Sequence, residues 1–154
     1  MNRSSYRHRI LITLPVIAAA LLASPGWAQP LSPAVAAERG RWITESGNLE
    51  IEIAPCGEAL CGTVVKVLAN RSMSDPAKPM ADAPSPLGMK ILTGFKPVGG
   101  EWQGQLFNRE NGTTYDCLIS LQGPDQLKVR AYVGTPATGR TQIWRRVAAT
   151  ADTK

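Results

Sequence analysis

From about residue 38 onward the apolar residues of this chain return at every second position and almost nowhere at a spacing of three or four. In NLEIEIAP, residues 48–55, Leu49, Ile51 and Ile53 fall on one side of an extended chain while Glu50 and Glu52 fall on the other. That is how a strand with one dry and one wet face reads. In TTYDCLISL, Thr113, Tyr115, Cys117, Ile119 and Leu121 share a face, and in QLKVRAYV, Leu127, Val129, Ala131 and Val133 alternate with Lys128, Arg130 and Tyr132. A helix would scatter such residues around its circumference, so the pattern predicts an all-β fold. The best helical candidate is a short turn at residues 33–38.

Turn-forming residues punctuate these runs at Ser46-Gly47-Asn48, Cys56-Gly57, Gly99-Gly100, Glu110-Asn111-Gly112, Gly123-Pro124-Asp125 and Thr135-Pro136. The Asn111-Gly112 pair is the clearest, because both residue types tolerate the positive φ of a tight hairpin. About eight strands result, near residues 39–44, 48–54, 61–68, 87–95, 101–107, 113–121, 126–133 and 140–147. Eight consecutive antiparallel strands on short connections most simply close into an up-and-down barrel, which removes unpaired edges; a two-sheet sandwich is the alternative. One connection is far longer, the polar, Pro-rich stretch 69–86, and long loops of this kind are functional lids or disordered segments.

The amino terminus reads as a secretion signal. Arg3, Arg7, His8 and Arg9 precede an apolar run of about 13 residues, 10–22, and a small-residue patch in which Gly26 and Ala28 place cleavage before Gln29. The run is shorter than the roughly 20 residues a membrane-spanning helix needs. The expected organisation is a signal at 1–28, a lead-in at 29–37, one barrel domain at 38–147 and a flexible tail at 148–154, with the mature protein in the periplasm and no membrane span. Removing residues 1–28 discards three of the 17 Lys and Arg residues and none of the 12 acidic ones, so the formal charge of +5 falls to +2. With so slight a positive excess, nucleic acid is not an expected partner.

The single histidine, His8, leaves with the signal. That removes Ser-His-acid triads, Cys-His pairs and histidine-ligated metals from the mature chain, and no recognisable catalytic motif replaces them, so no enzyme, cofactor or metal site is expected. Asp75 and Asp82, seven residues apart among Pro and Ala, are read as solvating the long loop, and Glu45, Glu50, Glu52 and Glu58 as outer-face charges. Cys56 and Cys61 bracket a hairpin and are expected to form a structural disulfide, since the two-residue spacing of a redox-active pair is absent. Cys117, on an apolar strand face, is expected to be a buried thiol.

Three segments in order, GRWITESGNLEIEIAPCGEALCG, GEWQGQLFNRENGTTYDC and KVRAYVGTPATGRTQIWRR, together resemble the exported bacterial family catalogued as domain of unknown function 2147. The resemblance spans roughly residues 38–147, is most specific at Gly139 to Gln142 followed by Trp144, and is weakest over 69–86. It implies a small secreted lipocalin-like β-barrel and brings no activity with it. Gly40-Arg41-Trp42 at the start of the first strand and Trp144-Arg145-Arg146 in the last also resemble the lipocalin arrangement in which a terminal-strand Arg covers an early Trp. Trp42 with Arg145 or Arg146 is therefore read as a barrel-end plug, a cation held over an indole face.

Small eight-stranded barrels are either filled by side chains or hold one small ligand. Arg130 and Tyr132 share one strand face, as a pair that grips a carboxylate must, although the alternation of Leu127, Val129, Ala131 and Val133 argues for their lying outside. Arg140 and Trp102 complete the candidate ligand-binding set, Trp102 reading more readily as core. The expectation is a non-catalytic binding module for a small amphipathic or apolar molecule or an envelope component. The alternative is a filled barrel acting as an envelope interaction or structural protein, which exposed apolar surface beside residues 69–86 would favour.

Overall fold

The computed structural model describes residues 32–72, 75, 77–80 and 84–148. The segment read as a signal, residues 1–28, lies outside the described residues, as do Asp82 and most of the 148–154 tail. Eight strands follow one another: β1 (Gly40–Ile43), β2 (Leu49–Cys56), β3 (Ala59–Val67), β4 (Lys90–Val98), β5 (Glu101–Asn108), β6 (Thr113–Gly123), β7 (Gln126–Tyr132) and β8 (Arg140–Arg146). Each pairs antiparallel with its sequence neighbour, and β8 returns to β1 through Trp42↔Arg146 and Ile43↔Arg145. The sheet is thus a closed up-and-down barrel and not a sandwich, with β1 and β8 satisfying each other's edge.

Differences from the expected elements are local. The lead-in turn is a single 3-10 turn at Pro33–Val35. β4 begins later than expected and runs past Pro97, because Gly99 and Gly100 both adopt positive φ (58° and 86°) and carry the pairing Val98↔Glu101 right up to the turn. The β5–β6 connection is not a two-residue hairpin: Asn111 keeps negative φ and only Gly112 is left-handed, with φ 66°. Asn111 acts instead through its side chain, its Oδ1 accepting from Thr113 N at 3.0 Å.

Strand reversal sorts the connections onto two ends. The lead-in, the β2–β3, β4–β5 and β6–β7 turns and the chain after β8 lie at one end; the β1–β2, β3–β4, β5–β6 and β7–β8 connections lie at the other. Near the first end the interior is filled. Trp42, Trp102, Phe95, Ile51, Ile53, Leu60 and Leu92 are buried there, each such side chain contributing roughly 1.5–3 kcal/mol on removal from water. Gly104 makes room for one of them, since a Cβ at that position would stand 2.6 Å from the Phe95 ring.

The same end is sealed by polar groups that the lead-in supplies. Glu38, almost buried, accepts the Trp102 indole N–H on its carboxylate at 3.0 Å, while its backbone carbonyl accepts the Trp42 indole N–H at 2.8 Å. Arg146 places its guanidinium 4.0 Å from the centre of the Trp42 ring and donates to the carbonyls of Pro124, Arg39 and Ala37. Arg145, next in sequence, is exposed on the other strand face.

Candidate ligand cavity

At the opposite end the barrel is hollow. A cavity of about 590 Å³ lies between the upper strands, within the range of small-molecule sites. Its lower wall is apolar, made by Leu49, Ile91, Leu106, Val129, Ala131 and Trp144. Its mouth draws on all four connections: Thr44, Ser46 and Asn48 from β1–β2; Asn70, Met80 and Pro86 from β3–β4; Arg109, Glu110 and Asn111 from β5–β6; and Val133 and Thr138 from β7–β8. A smaller recess of about 230 Å³ shares Ser46, Asn48, Arg140 and Gln142 with it.

The long β3–β4 connection folds across one side of this mouth. Arg71 and Pro79 form an isolated bridge, Ser72 N donates to Lys78 O and Met80 N to Asn70 O, so the described part of the loop doubles back on itself. Two neighbouring connections hold it. Asn48 clasps Arg71, its Nδ2 donating to the Arg71 carbonyl at 2.8 Å and its Oδ1 accepting from the Arg71 N–H at 3.4 Å, while the Asn48 carbonyl accepts from Leu68 N and Ala69 N. On the other side Arg109 donates to Asn70 Oδ1 and Met80 Sδ, and Ser72 Oγ donates to Glu110 Oε1. A segment poor in packing residues is in this way ordered by side-chain to backbone bonds.

β8 provides the line from mouth to floor. Its register sets Arg140 opposite Ala131, Gln142 opposite Val129 and Trp144 opposite Leu127, so all three face inward beside core residues. Trp144 is buried and its indole N–H donates to Gln142 Oε1 at 3.0 Å, which turns the Gln142 amide nitrogen away from Trp144. Arg140 lines both the cavity and the recess.

Of the four residues read from the sequence as a ligand-binding set, Tyr132 and Arg140 border the cavity while Arg130 and Trp102 do not. Arg130 lies on the outer face, where its guanidinium donates to the carbonyls of Pro136 and Ala137 and to Thr141 Oγ1, bracing the β7–β8 connection. Tyr132, two positions along the same strand, is buried at the cavity border, and its hydroxyl reaches across β6 to accept from Gln103 Nε2 at 2.9 Å. Trp102 is fully buried in the filled end, and Arg140 alone of the four presents a charge to the cavity. Glu50, read as a solvated outer charge, is almost buried and paired with Arg41 at 3.4 Å. Gln142 shares a strand face with Arg140 and Trp144, which the alternation along β8 makes legible in the sequence, whereas Asn48, Arg109 and Tyr115 carry no such signal of a binding role.

Cys56 and Cys61 form a disulfide across the β2–β3 hairpin, at the sealed end and remote from the cavity. Cys117 is buried between Gly104 and Ala131, and burial pushes its thiol up to about 12. A thiol so protonated is a poor nucleophile at neutral pH. Among the described residues no group of three or more His, Cys, Asp or Glu side chains converges on one point.

Fold and cavity together define a class: an eight-stranded antiparallel barrel, packed at one end and hollow at the other. The family described as "Uncharacterized protein conserved in bacteria (DUF2147)" matches residues 40–146, every strand of the barrel from first to last. The chain belongs to this family. No curated protein and no solved structure matches it significantly.

Proposed function

We propose that this domain is a non-catalytic binding module of the bacterial cell envelope that takes one small amphipathic molecule into the open end of its barrel. The observation that carries the reading is the division of the roughly 590 Å³ cavity into an apolar floor and a polar mouth. Affinity comes from apolar ligand surface leaving water against Leu106, Val129, Ile91 and Trp144, and orientation from the polar groups above. The envelope location rests on residues 1–28, whose charged start, short apolar run and small-residue end are those of a cleaved secretion signal.

Native mass spectrometry tests this on protein expressed from the full chain and recovered from the periplasm, with solvent extraction of what it carries. Ala131 lies in the apolar wall with open cavity before it, so Ala131→Phe fills the space from within. A reproducible adduct on the wild type that disappears in Ala131→Phe is the expected result. A bare mass in every wild-type preparation, with no uptake of added amphiphile, refutes the reading.

A second reading, a protein-interaction module, is favoured by one observation. Val67, Leu68 and Leu87, exposed by 37%, 42% and 61%, flank the long loop on both sides. Isolated exposed apolar residues are common on soluble proteins, and the hollow end is the less ordinary feature.

A further inference from the structure

We infer that the molecule held in the open end carries an anionic, acceptor-rich head, a carboxylate or a phosphate, lying against Arg140, with its apolar part directed down to Trp144. The inference rests on the binding-module reading above and specifies its ligand class.

Hydrogen-bonding valence around the mouth is uneven. Side-chain oxygens there each already accept a hydrogen bond from the protein itself. Asn70 Oδ1 accepts from Arg109, Asn108 Oδ1 from Glu110 N, and Gln142 Oε1 from Trp144. The amide nitrogens of the same three residues have no partner among the described residues. Tyr115 points the same way: its oxygen accepts from Asn111 Nδ2 at 2.8 Å, which leaves its hydrogen to give. Arg140 adds a fork of five N–H groups and a full positive charge, with no hydrogen bond or ion pair among the described residues. What the mouth has left to offer is therefore weighted toward donors.

Charge agrees with valence. Among the described residues lining the cavity Glu110 is the one carboxylate, and it already accepts from Ser72, whereas Arg109 and Arg140 both lie in the wall. A neutral or cationic head would leave these donors to water or add repulsion; an anionic head satisfies them with charge-assisted bonds, for which the guanidinium fork is suited. The inward row Arg140, Gln142, Trp144 grades from charge through amide to indole along a single strand, so a ligand with its head at Arg140 meets apolar surface in the direction of its tail.

The test uses four probes with one tail and different heads: dodecanoate, dodecyl phosphate, dodecanol and dodecyltrimethylammonium. Binding to protein expressed from the full chain is measured by isothermal titration below each probe's aggregation concentration. The anionic probes are expected to bind about ten- to a hundred-fold more tightly than dodecanol, the gain of one or two charge-assisted bonds. Arg140→Gln should remove most of that preference while leaving dodecanol affinity and the thermal melt unchanged, and the ratio of dodecanoate to dodecyl phosphate affinity separates the two head chemistries. Equal binding of anionic and neutral probes, tighter binding of the cation, or an equal loss for all probes in Arg140→Gln overturns the head assignment and leaves the cavity reading standing. No uptake of any probe refutes both.

Discussion

Arg146→Ala tests how the sealed end is held, and its magnitude follows from the contacts. The guanidinium stacks 4.0 Å from the Trp42 ring centre and donates to Pro124 O at 2.7 Å, Arg39 O at 2.9 Å and Ala37 O at 2.9 Å. It therefore pins β8, the β6–β7 turn and the lead-in onto one indole. The carbonyls are near solvent and can turn to water when the arginine is gone, so each bond is worth the low end of the usual range, about 0.5–1 kcal/mol. The stack adds about 0.5–2 kcal/mol. A loss of about 2–5 kcal/mol is expected for Arg146→Ala. Arg146→Lys restores the cation but cannot fork to three carbonyls, so it should recover about half. The assay is urea unfolding followed by tryptophan fluorescence, in which a domain of this size loses about 1–2 kcal/mol per molar urea, and the midpoint should fall by about 1–5 M. Arg145→Ala is the internal control; its side chain is exposed on the opposite face and should stay within about 0.5 kcal/mol of wild type. A midpoint drop for Arg146→Ala no larger than that for Arg145→Ala, or full recovery by lysine, refutes the reasoning.

Two further perturbations read other parts of the molecule. Asn48→Ala removes both side-chain bonds to Arg71, so backbone amides of the β3–β4 connection should exchange with deuterium about tenfold faster while strand amides are unchanged; slowed or unaltered exchange at Arg71 would show that the clasp does not hold the loop. Cys117, raised to about 12 in the folded barrel from a reference of 9.0, keeps its proton over a window in which the unfolded chain gives it up. Its contribution is present below about pH 9 and is lost as pH rises toward 12, with a slope of up to about 1.4 kcal/mol per pH unit. Cys117→Ala should flatten that alkaline limb in denaturation curves taken from pH 8 to 11, and an unchanged limb would assign it to other groups.

The strands were legible because half-buried strands impose a period of two that no other element mimics. Leu49, Ile51 and Ile53, and Leu127, Val129 and Ala131, are inward in the barrel as their alternation requires. Closure also followed from counting, since eight strands on short connections leave two edges with nowhere to go but each other. What misled were residues whose usual meaning is overridden by context. Pro97 looks like a strand terminator but rides inside β4 on the pairing set by Gly99-Gly100, and Asn111 looks like a left-handed turn residue but works as a side-chain acceptor. Glu38 gave the faintest signal. Its role depends on two indole N–H groups, four and 64 residues away, which need acceptors in a dry interior. A lone acid directly after the apolar run Ala34 to Ala37 and just before Gly40-Arg41-Trp42 was the available hint.

The cavity was harder to find because reading strands by face, inward or outward, ignores position along the barrel. A closed barrel has nearly constant width, so where it is hollow depends on how inward side-chain volume is distributed between its ends. In an up-and-down barrel the hollow end is approached by the last residues of odd strands and the first residues of even ones. Read in that direction, the inward positions of β7 shrink from Leu127 to Val129 to Ala131, and those of β8 pass from Trp144 through Gln142 to Arg140. The bulky residues Trp42, Trp102 and Phe95 all collect at the other end. This taper needs only strand order and direction, both legible in the sequence. It also explains why Arg130 misleads: it has the chemistry of a ligand anchor but sits one residue out of phase with the inward row, and a shift of one in a strand exchanges the cavity for solvent.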